Sequence, residues 1–168
     1  MTVEPPHPLR LPVFRALWLG SIASNLGVWI YDLGAVWLMT TLTSSPLLIA
    51  LIQTAMNLPI VLLALPAGAL ADIVDRRWLL LFTQAWMLVA VTLLAILTLQ
   101  GAVTPWLLLG LALVIGVGDA LKAPPWQVIT PELVPPEQLP AAVTLSGLGL
   151  NLARAVGPAL GGLIVAAG

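Results

Sequence analysis

The chain lacks cysteine altogether, has a single histidine, and carries little charge for its 168 residues. Without cysteine, disulfides, thiolate zinc sites and cysteine nucleophiles are excluded. His7 lies in a proline-rich start with no second histidine to share a metal ion, so we expect a solvated tail residue and neither a metal nor a cofactor. The net charge of −1 leaves no basic patch for nucleic acid.

Hydrophobic residues take the place of the missing charge. They make up 60% of the chain against 8% charged residues, and the mean hydropathy is +1.07. A soluble domain carries about 25% charged residues, because polar groups must cover its surface. Six Lys and Arg with seven Asp and Glu are enough for this chain only if its solvent is lipid. The sequence therefore predicts an all-α integral membrane protein.

Five segments are long enough to cross a bilayer, which takes about 20 apolar residues in a helix. Their approximate bounds are 15–41, 46–71, 78–99, 104–122 and 141–168, after a tail over residues 1–14. The stretch 124–140 contains six prolines and is predicted to be a loop. The first segment is longer than the apolar region of a cleavable signal and follows prolines, so we expect it to be retained.

The placement of the basic residues predicts the orientation of the chain. Five of the six fall on one side of the membrane: Arg10, Arg15, Arg76, Arg77 and Lys122. The loops on the other side carry no charge. Because cytoplasmic loops retain positive charge, we expect a cytoplasmic N-terminus. The sixth basic residue, Arg154, lies inside the fifth segment.

The loop between the second and third segments reads Gly-Ala-Leu-Ala-Asp-Ile-Val-Asp-Arg-Arg over residues 68–77. Gly68 permits the close approach of another backbone. Asp72 can pair with Arg76 or Arg77, or cap a neighbouring helix through its dipole. An ordinary cytoplasmic loop with incidental acids is the alternative, but the spacing of the glycine, the acid and the arginine pair favours a dedicated motif.

This loop resembles the motif between helices two and three of the major facilitator superfamily. The matching residues are Gly68, Leu70, Asp72, Arg76 and Arg77, whereas Ile73 and Asp75 replace an Arg and a Gly that are common there. Its form is similar to the enterobactin-exporter-like branch, the transmembrane secretion effectors, as is the proline-rich stretch 124–142. The resemblance implies that the loop acts as a conformational latch for the outward-open state and does not bind substrate.

Residues 151–162 in the fifth segment are similar to the antiporter motif of drug exporters in that superfamily. Gly157, Pro158, Gly161 and Gly162 match, and Ala153 replaces the first glycine. Small residues four apart let helices approach closely and a proline kinks a helix, so packing and gating both stay open. The Arg and Gln that proton-coupled antiporters carry in helix four are absent from 112–116, so proton coupling through them is unsupported.

Polar residues inside the predicted helices are the candidates for a binding cavity. A charge in hydrocarbon costs at least about 2.5 kcal/mol, so such residues tend to face a cavity or a partner. Asp32 is the only acid in a helix interior and shares one face of the first helix with Asn25. We hypothesise a central cavity lined by five residues: Asn25, Asp32, Asn57, Asn151 and Arg154. The alternative is that Asp32 lies near the outer interface and is merely hydrated.

The resemblance implies transport of a small molecule, and export in particular, by alternating access across a bacterial inner or plasma membrane. In that superfamily substrate binds between two six-helix halves, so five helices form an incomplete six-helix bundle. We therefore expect a part of a longer transporter or a chain that needs partner chains. The alternative is a non-transporting assembly partner or a truncated remnant. No enzyme motif is present, and the sequence leaves open the coupling ion and whether the substrate is drug-like or siderophore-like.

Overall fold

Five long helices make up the chain in a computed structural model that describes residues 8–167, with all side chains except those of 125–128, 130 and 167. They are α1 (Pro12–Leu42), α2 (Pro46–Ile73), α3 (Arg76–Leu99), α4 (Pro105–Leu133) and α5 (Leu139–Ala167), with short 3-10 helices at Pro8–Arg10 and Pro136–Gln138. Each contains an apolar stretch long enough to cross a membrane. The predicted all-α membrane fold is therefore confirmed. His7, Gly168 and the Trp126 side chain lie outside the described part.

The chain divides into two compact units, which are best described separately. The terminal unit combines Met1–Gly34 with Val128–Gly168, and the middle unit is Ala35–Gln127. The terminal unit thus contains most of α1 and all of α5, while the middle unit contains α2, α3 and most of α4. In the terminal unit, segments from the two ends of the chain pack together.

Local sequence sets several helix ends. Pro46 begins α2, a position where the missing N–H would have no partner in the helix and the fixed φ is already helical. The turn from α3 to α4 passes through Gly101 at φ +65°, a left-handed conformation that favours glycine. At the start of α4, the Leu107 backbone N–H donates to the hydroxyl oxygen of Thr104 over 3.3 Å. These turns keep the connections short.

The end of the fourth helix corrects the sequence-based expectation. We expected a helix end near residue 122 and a loop over 124–140, but α4 continues to Leu133. A proline in a helix lacks the backbone donor and its ring crowds the carbonyl four residues earlier. Neighbouring groups can compensate within a membrane protein, so prolines do not have to end the helix. The break comes at Pro135, which is extended (φ −58°, ψ 151°) because Pro136 follows it.

The start of the chain also differs from the expected tail over residues 1–14. The first helix already begins at Pro12, and Phe14 is only 3% exposed. Phe14 is buried with Val134 and Ala142 at the junction of α4 and α5. Six further apolar residues pack around this cluster: Leu9, Leu11, Trp18, Leu133, Leu139 and Leu145. Residues 8–14 are therefore a packed part of the terminal unit.

Candidate functional site

The helix-five motif lies along the contact between α1 and α5. A Cβ added at Gly157 would collide with the Cβ of Trp29, and one added at Gly161 would lie 3.1 Å from Leu33 Cδ2. Ala153, one turn before Gly157, is fully buried. Small side chains at a spacing of four therefore let the two helices approach closely. The motif packs α5 against α1, while a role in gating stays a prediction.

The other two motif residues contribute less to this contact. A Cβ at Gly162 would meet only Leu33 Cδ2, at an ordinary 3.9 Å. Pro158 lies inside α5 and is half-buried. Its ring removes one backbone donor from the helix, which is a local cause of bending. The close approach of α1 and α5 therefore depends on Gly157 and Gly161 rather than on the whole motif.

Arg154 lies in the middle of α5, over the ring of Trp29. Its guanidinium carbon is 5.7 Å from the ring centroid, within the range of a cation–π interaction. Gly157 follows Arg154 by about one turn and admits the Trp29 side chain, so the glycine makes room for the ring that the arginine covers. Within the described part of the chain, Arg154 makes no hydrogen bond or ion pair.

The remaining cavity candidates are distributed over both units. Asn25 and Asp32 are half-buried on α1, and Asn151 is exposed one turn before Arg154. Asn57 belongs to the middle unit, where its exposed amide donates to the Gln53 carbonyl over 2.8 Å, within α2 itself. The terminal unit thus contains four of the five candidates, and the proposed cavity stays a prediction.

Two tryptophans join helices in a way that the sequence did not reveal. The Trp18 indole N–H donates to the Leu145 carbonyl of α5 over 2.8 Å. The carbonyl lies one turn before Gly149, where an added Cβ would be 3.3 Å from the same indole nitrogen. The absent side chain at Gly149 therefore leaves space for the indole to reach the backbone.

The middle unit repeats this arrangement with other residues. The Trp86 indole N–H donates to the Val114 carbonyl of α4 over 2.8 Å, and an added Cβ at Gly118 would lie 2.9 Å from Trp86 Cδ1. In both units an indole binds a carbonyl four residues before a glycine. We call this arrangement the indole–glycine joint. A single sequence shows the tryptophans and glycines but not which of them meet.

Glycine also brings α2 and α4 together in the middle unit. An added Cβ at Gly116 would lie 2.7 Å from the Met56 backbone oxygen and 3.1 Å from Pro59 Cγ. Gly116 and Gly118 are therefore packing positions in a membrane helix and not part of a nucleotide-binding loop. Phe82 packs beside Trp86 with ring centroids 6.1 Å apart.

In the loop between α2 and α3, capping was one of two roles that the sequence offered for Asp72. Asp75, not Asp72, caps α3: its carboxylate accepts from the backbone N–H groups of Arg77 at 2.8 Å and Trp78 at 3.4 Å. Asp72 is exposed in the last turn of α2. Among the described residues nothing lies within 4 Å of a Cβ added at Gly68, so the close approach expected there is not made within this part of the chain.

The two charged residues near the middle of α4 pair with each other. The Lys122 ammonium lies 2.8 Å from the Asp119 carboxylate, at a helical spacing of three residues. Neither residue is a candidate for binding. In the residues that the structure describes, no three His, Cys, Asp or Glu side chains are grouped so that they could hold a metal ion.

The fold and these contacts define a multi-pass helical membrane protein with an arginine in the middle of its fifth helix. The family model of the transmembrane secretion effectors matches residues 4–168. The chain belongs to this family of major facilitator superfamily transporters. The motifs of the α2–α3 loop and of α5 lie within the matched region, so the resemblance read from them is confirmed.

Several bacterial transporters are similar to the chain. It is 30% identical to the staphyloferrin A transporter of Staphylococcus aureus over 84% of its own length and 36% of the relative. It is 29% identical to the uncharacterized MFS-type transporter YfiS of Bacillus subtilis, over 95% of its length and 39% of the relative. It is 23% identical to macrolide efflux protein A of Streptococcus pyogenes, over 90% and 37% respectively.

These relatives are much longer than the chain. The chain spans less than two fifths of the length of each of the three relatives. No solved structure matches it significantly. The region shared with each relative is therefore only a portion of that relative.

Proposed function

We propose that the chain is the N-terminal part of a secondary transporter that exports a small molecule by alternating access. The single observation that carries this proposal is the family match over residues 4–168 of a chain with five apolar helices. Transporters of this superfamily have two six-helix halves that rock about a site near the midplane. The incomplete bundle therefore needs further helices, either from the same polypeptide or from a partner chain.

The names of the relatives support export and suggest what to test first. One relative is named for macrolide efflux and another for the transport of staphyloferrin A. We propose a substrate that is drug-like or siderophore-like. The family consists of transporters, and we assign the chain no catalytic step. Transport is also favoured over the assembly-partner alternative, because both transporter motifs lie within the family match.

The loop between α2 and α3 fits the proposed role of a conformational latch at the cytoplasmic side. Asp72 lies in the last turn of α2, where a negative charge opposes the helix dipole and costs about 0.3–1 kcal/mol. An acid at such a position is explained if it gains a partner in one conformation of the transporter. The basic residues of this loop, with Arg15 and Lys122, support a cytoplasmic N-terminus.

Export can be measured in a bacterial strain without its own macrolide exporters. The protein is expressed at the length in which its own cells produce it, and the efflux of preloaded erythromycin and of staphyloferrin A is followed. We expect energy-dependent efflux of at least one compound. Asp72→Asn should lower its rate several-fold at equal expression, because the acid of the latch is lost, while Asp119→Asn should leave the rate unchanged.

Two results would contradict the proposal. One is a well-expressed, folded protein that exports neither compound above the vector control. The other is equal efflux by the wild type and Asp72→Asn, which would remove the loop from the mechanism while leaving transport intact.

A further inference from the structure

We infer that Arg154, lying over Trp29, is a binding position for a carboxylate group of the transported molecule. The inference rests on the proposed function, because it names the chemical class of substrate for the same transporter. Three properties of this position lead to it: its depth, its unused hydrogen-bond donors, and the rigidity of the ring beneath it.

Depth makes an arginine at this position costly unless it meets a polar group. Arg154 is fifteen residues after Leu139 and thirteen before Ala167, the two ends of α5. At about 1.5 Å per residue the arginine lies about 22 Å and about 20 Å from those ends. It therefore lies near the middle of a hydrocarbon core about 30 Å thick. Ionisable residues at this depth face water-filled cavities or partners.

The Arg154 guanidinium has N–H donors that no described residue accepts from. Arginine carries a planar fork of N–H groups that matches the two oxygens of a carboxylate. The ring of Trp29 stabilises the positive charge through its face, but it is not an oxygen acceptor for those N–H groups. Among the described residues, Arg154 has no hydrogen-bond acceptor and no ion-pair partner. The fork is thus available to an acceptor that the substrate brings.

A single arginine also matches a carboxylate better than it matches a phosphate. A carboxylate carries one negative charge and neutralises the guanidinium. A phosphate monoester carries about −1.5 to −2 at neutral pH, which would leave excess charge in the apolar surroundings. The geometry and the charge together favour the carboxylate.

The position is also held in place before any ligand arrives. The base of the Trp29 side chain, its Cβ and Cγ, is packed against the backbone at Gly157, so the ring starts from a fixed position beside α5. Asn151 is exposed one turn before Arg154 and can donate to the same ligand. Groups fixed in their bound geometry lose less entropy on binding, so the arrangement favours affinity.

Two fluorescent probes that differ only in charge test the inference: dansyl-glycine, a carboxylate, and dansyl-glycinamide, its neutral amide. Binding to the purified, full-length protein in detergent is measured by energy transfer from tryptophan to the dansyl group. We expect the wild type to bind the carboxylate more tightly than the amide. Arg154→Gln should weaken binding of the carboxylate about ten- to hundredfold and leave the amide within about twofold.

Further variants separate binding from packing. Arg15→Gln removes the same charge from an exposed position at the start of α1 and should change neither affinity. Arg154→Lys keeps the charge without the planar fork and should give an intermediate affinity for the carboxylate. If Arg154 served only to pack on Trp29, Arg154→Gln would lower the melting temperature and shift both probes equally.

Several outcomes would overturn the inference. They are equal binding of the two probes by the wild type, binding of neither, or an unchanged carboxylate affinity in Arg154→Gln. Tighter binding of the matched phosphonate would overturn the choice of carboxylate. Because binding in detergent requires no transport, these failures are distinct from failure of the export assay. Export that persists unchanged in Arg154→Gln would leave the proposed function standing without this site.

Discussion

The terminal unit and the middle unit both contain an indole–glycine joint between two helices. In each, a tryptophan indole donates to a backbone carbonyl over 2.8 Å, and a glycine one turn further on leaves space for the ring. The indole–glycine joint connects α1 with α5 in the terminal unit, and α3 with α4 in the middle unit. Its recurrence on different helices shows a general solution for membrane interfaces, where close backbone contact and hydrogen bonds replace the hydrophobic effect.

The two units differ in where they place their charges. The middle unit keeps four of them at the ends of α2 and α3, namely Asp72, Asp75, Arg76 and Arg77, and pairs Asp119 with Lys122 inside α4. The terminal unit places Asp32 and Arg154 within membrane-spanning helices. Charge at a helix end is cheap and can serve orientation and conformational change, whereas charge at membrane depth is costly and points to a ligand or a cavity. The comparison therefore supports the two proposals that place substrate recognition in the terminal unit and the conformational latch in the middle unit.

The largest expected effect comes from filling the glycine contacts. Gly116→Ala and Gly157→Ala each place a Cβ against an atom that cannot move alone, a backbone oxygen of α2 and the Cβ of Trp29. Overpacking of this kind typically costs about 1–3 kcal/mol. Thermal unfolding in detergent should show a clear loss of stability for both variants. If only one of the two variants lost stability, the two units would not depend on their glycine contacts in the same way.

Matched controls exist for this test. A Cβ at Gly110 in α4 or Gly147 in α5 meets no atom of the described chain within 4 Å. Since alanine is favoured over glycine in a helix by up to about 1 kcal/mol, Gly110→Ala and Gly147→Ala should be neutral or slightly stabilising.

A smaller effect should separate the two acids of the middle unit. Asp75→Ala removes the side chain that caps α3 and should cost about 1 kcal/mol. Asp72→Ala removes a charge that opposes the dipole of α2 and should cost nothing or raise stability slightly. Chemical unfolding of the two variants measures the difference. Equal losses would show that Asp72 has a structural partner, which would weaken its assignment to a conformational role.

The smallest expected effects are those of the two indole hydrogen bonds. Trp18→Phe and Trp86→Phe keep a ring but lose the donor, and interhelical hydrogen bonds in membranes average about 0.6 kcal/mol. Trp18 is the less exposed of the two, so its replacement should cost more. Trp106→Phe, on an exposed ring, is the matched control. A loss as large for Trp106→Phe would show that the effect comes from the ring and not from the bond.

Much of the fold could be predicted because each helix is a long apolar run. The first three helices begin and end within a few residues of the bounds that proline, glycine and charged residues predicted. Failure came at 124–133, where the number of prolines suggested a loop and the structure has helix. The tendency of a proline to end a helix is a local preference, and a surrounding membrane protein can override it.

The candidate site was only partly predictable for a related reason. Arg154, Asn151 and Asp32 are conspicuous in sequence because charge and amides are rare in apolar helices. The contact between Arg154 and Trp29 is not, since the two residues are far apart in sequence and only the packing of Gly157 brings them together. The same holds for Trp18 and Leu145. One sequence supplies the residue types but not the pairs.

Access of water to α5 at the depth of Arg154 tests the central claim, a polar cavity beside this arginine, most directly. Asn151→Cys and Leu152→Cys place a thiol at positions about 100° apart round the helix, in a chain with no cysteine of its own. A membrane-impermeant methanethiosulfonate reagent is applied to the full-length protein in lipid nanodiscs, and mass spectrometry reports labelling at each position. We predict fast labelling at position 151 and little at position 152. Equal labelling, or labelling at position 152 alone, would contradict the cavity.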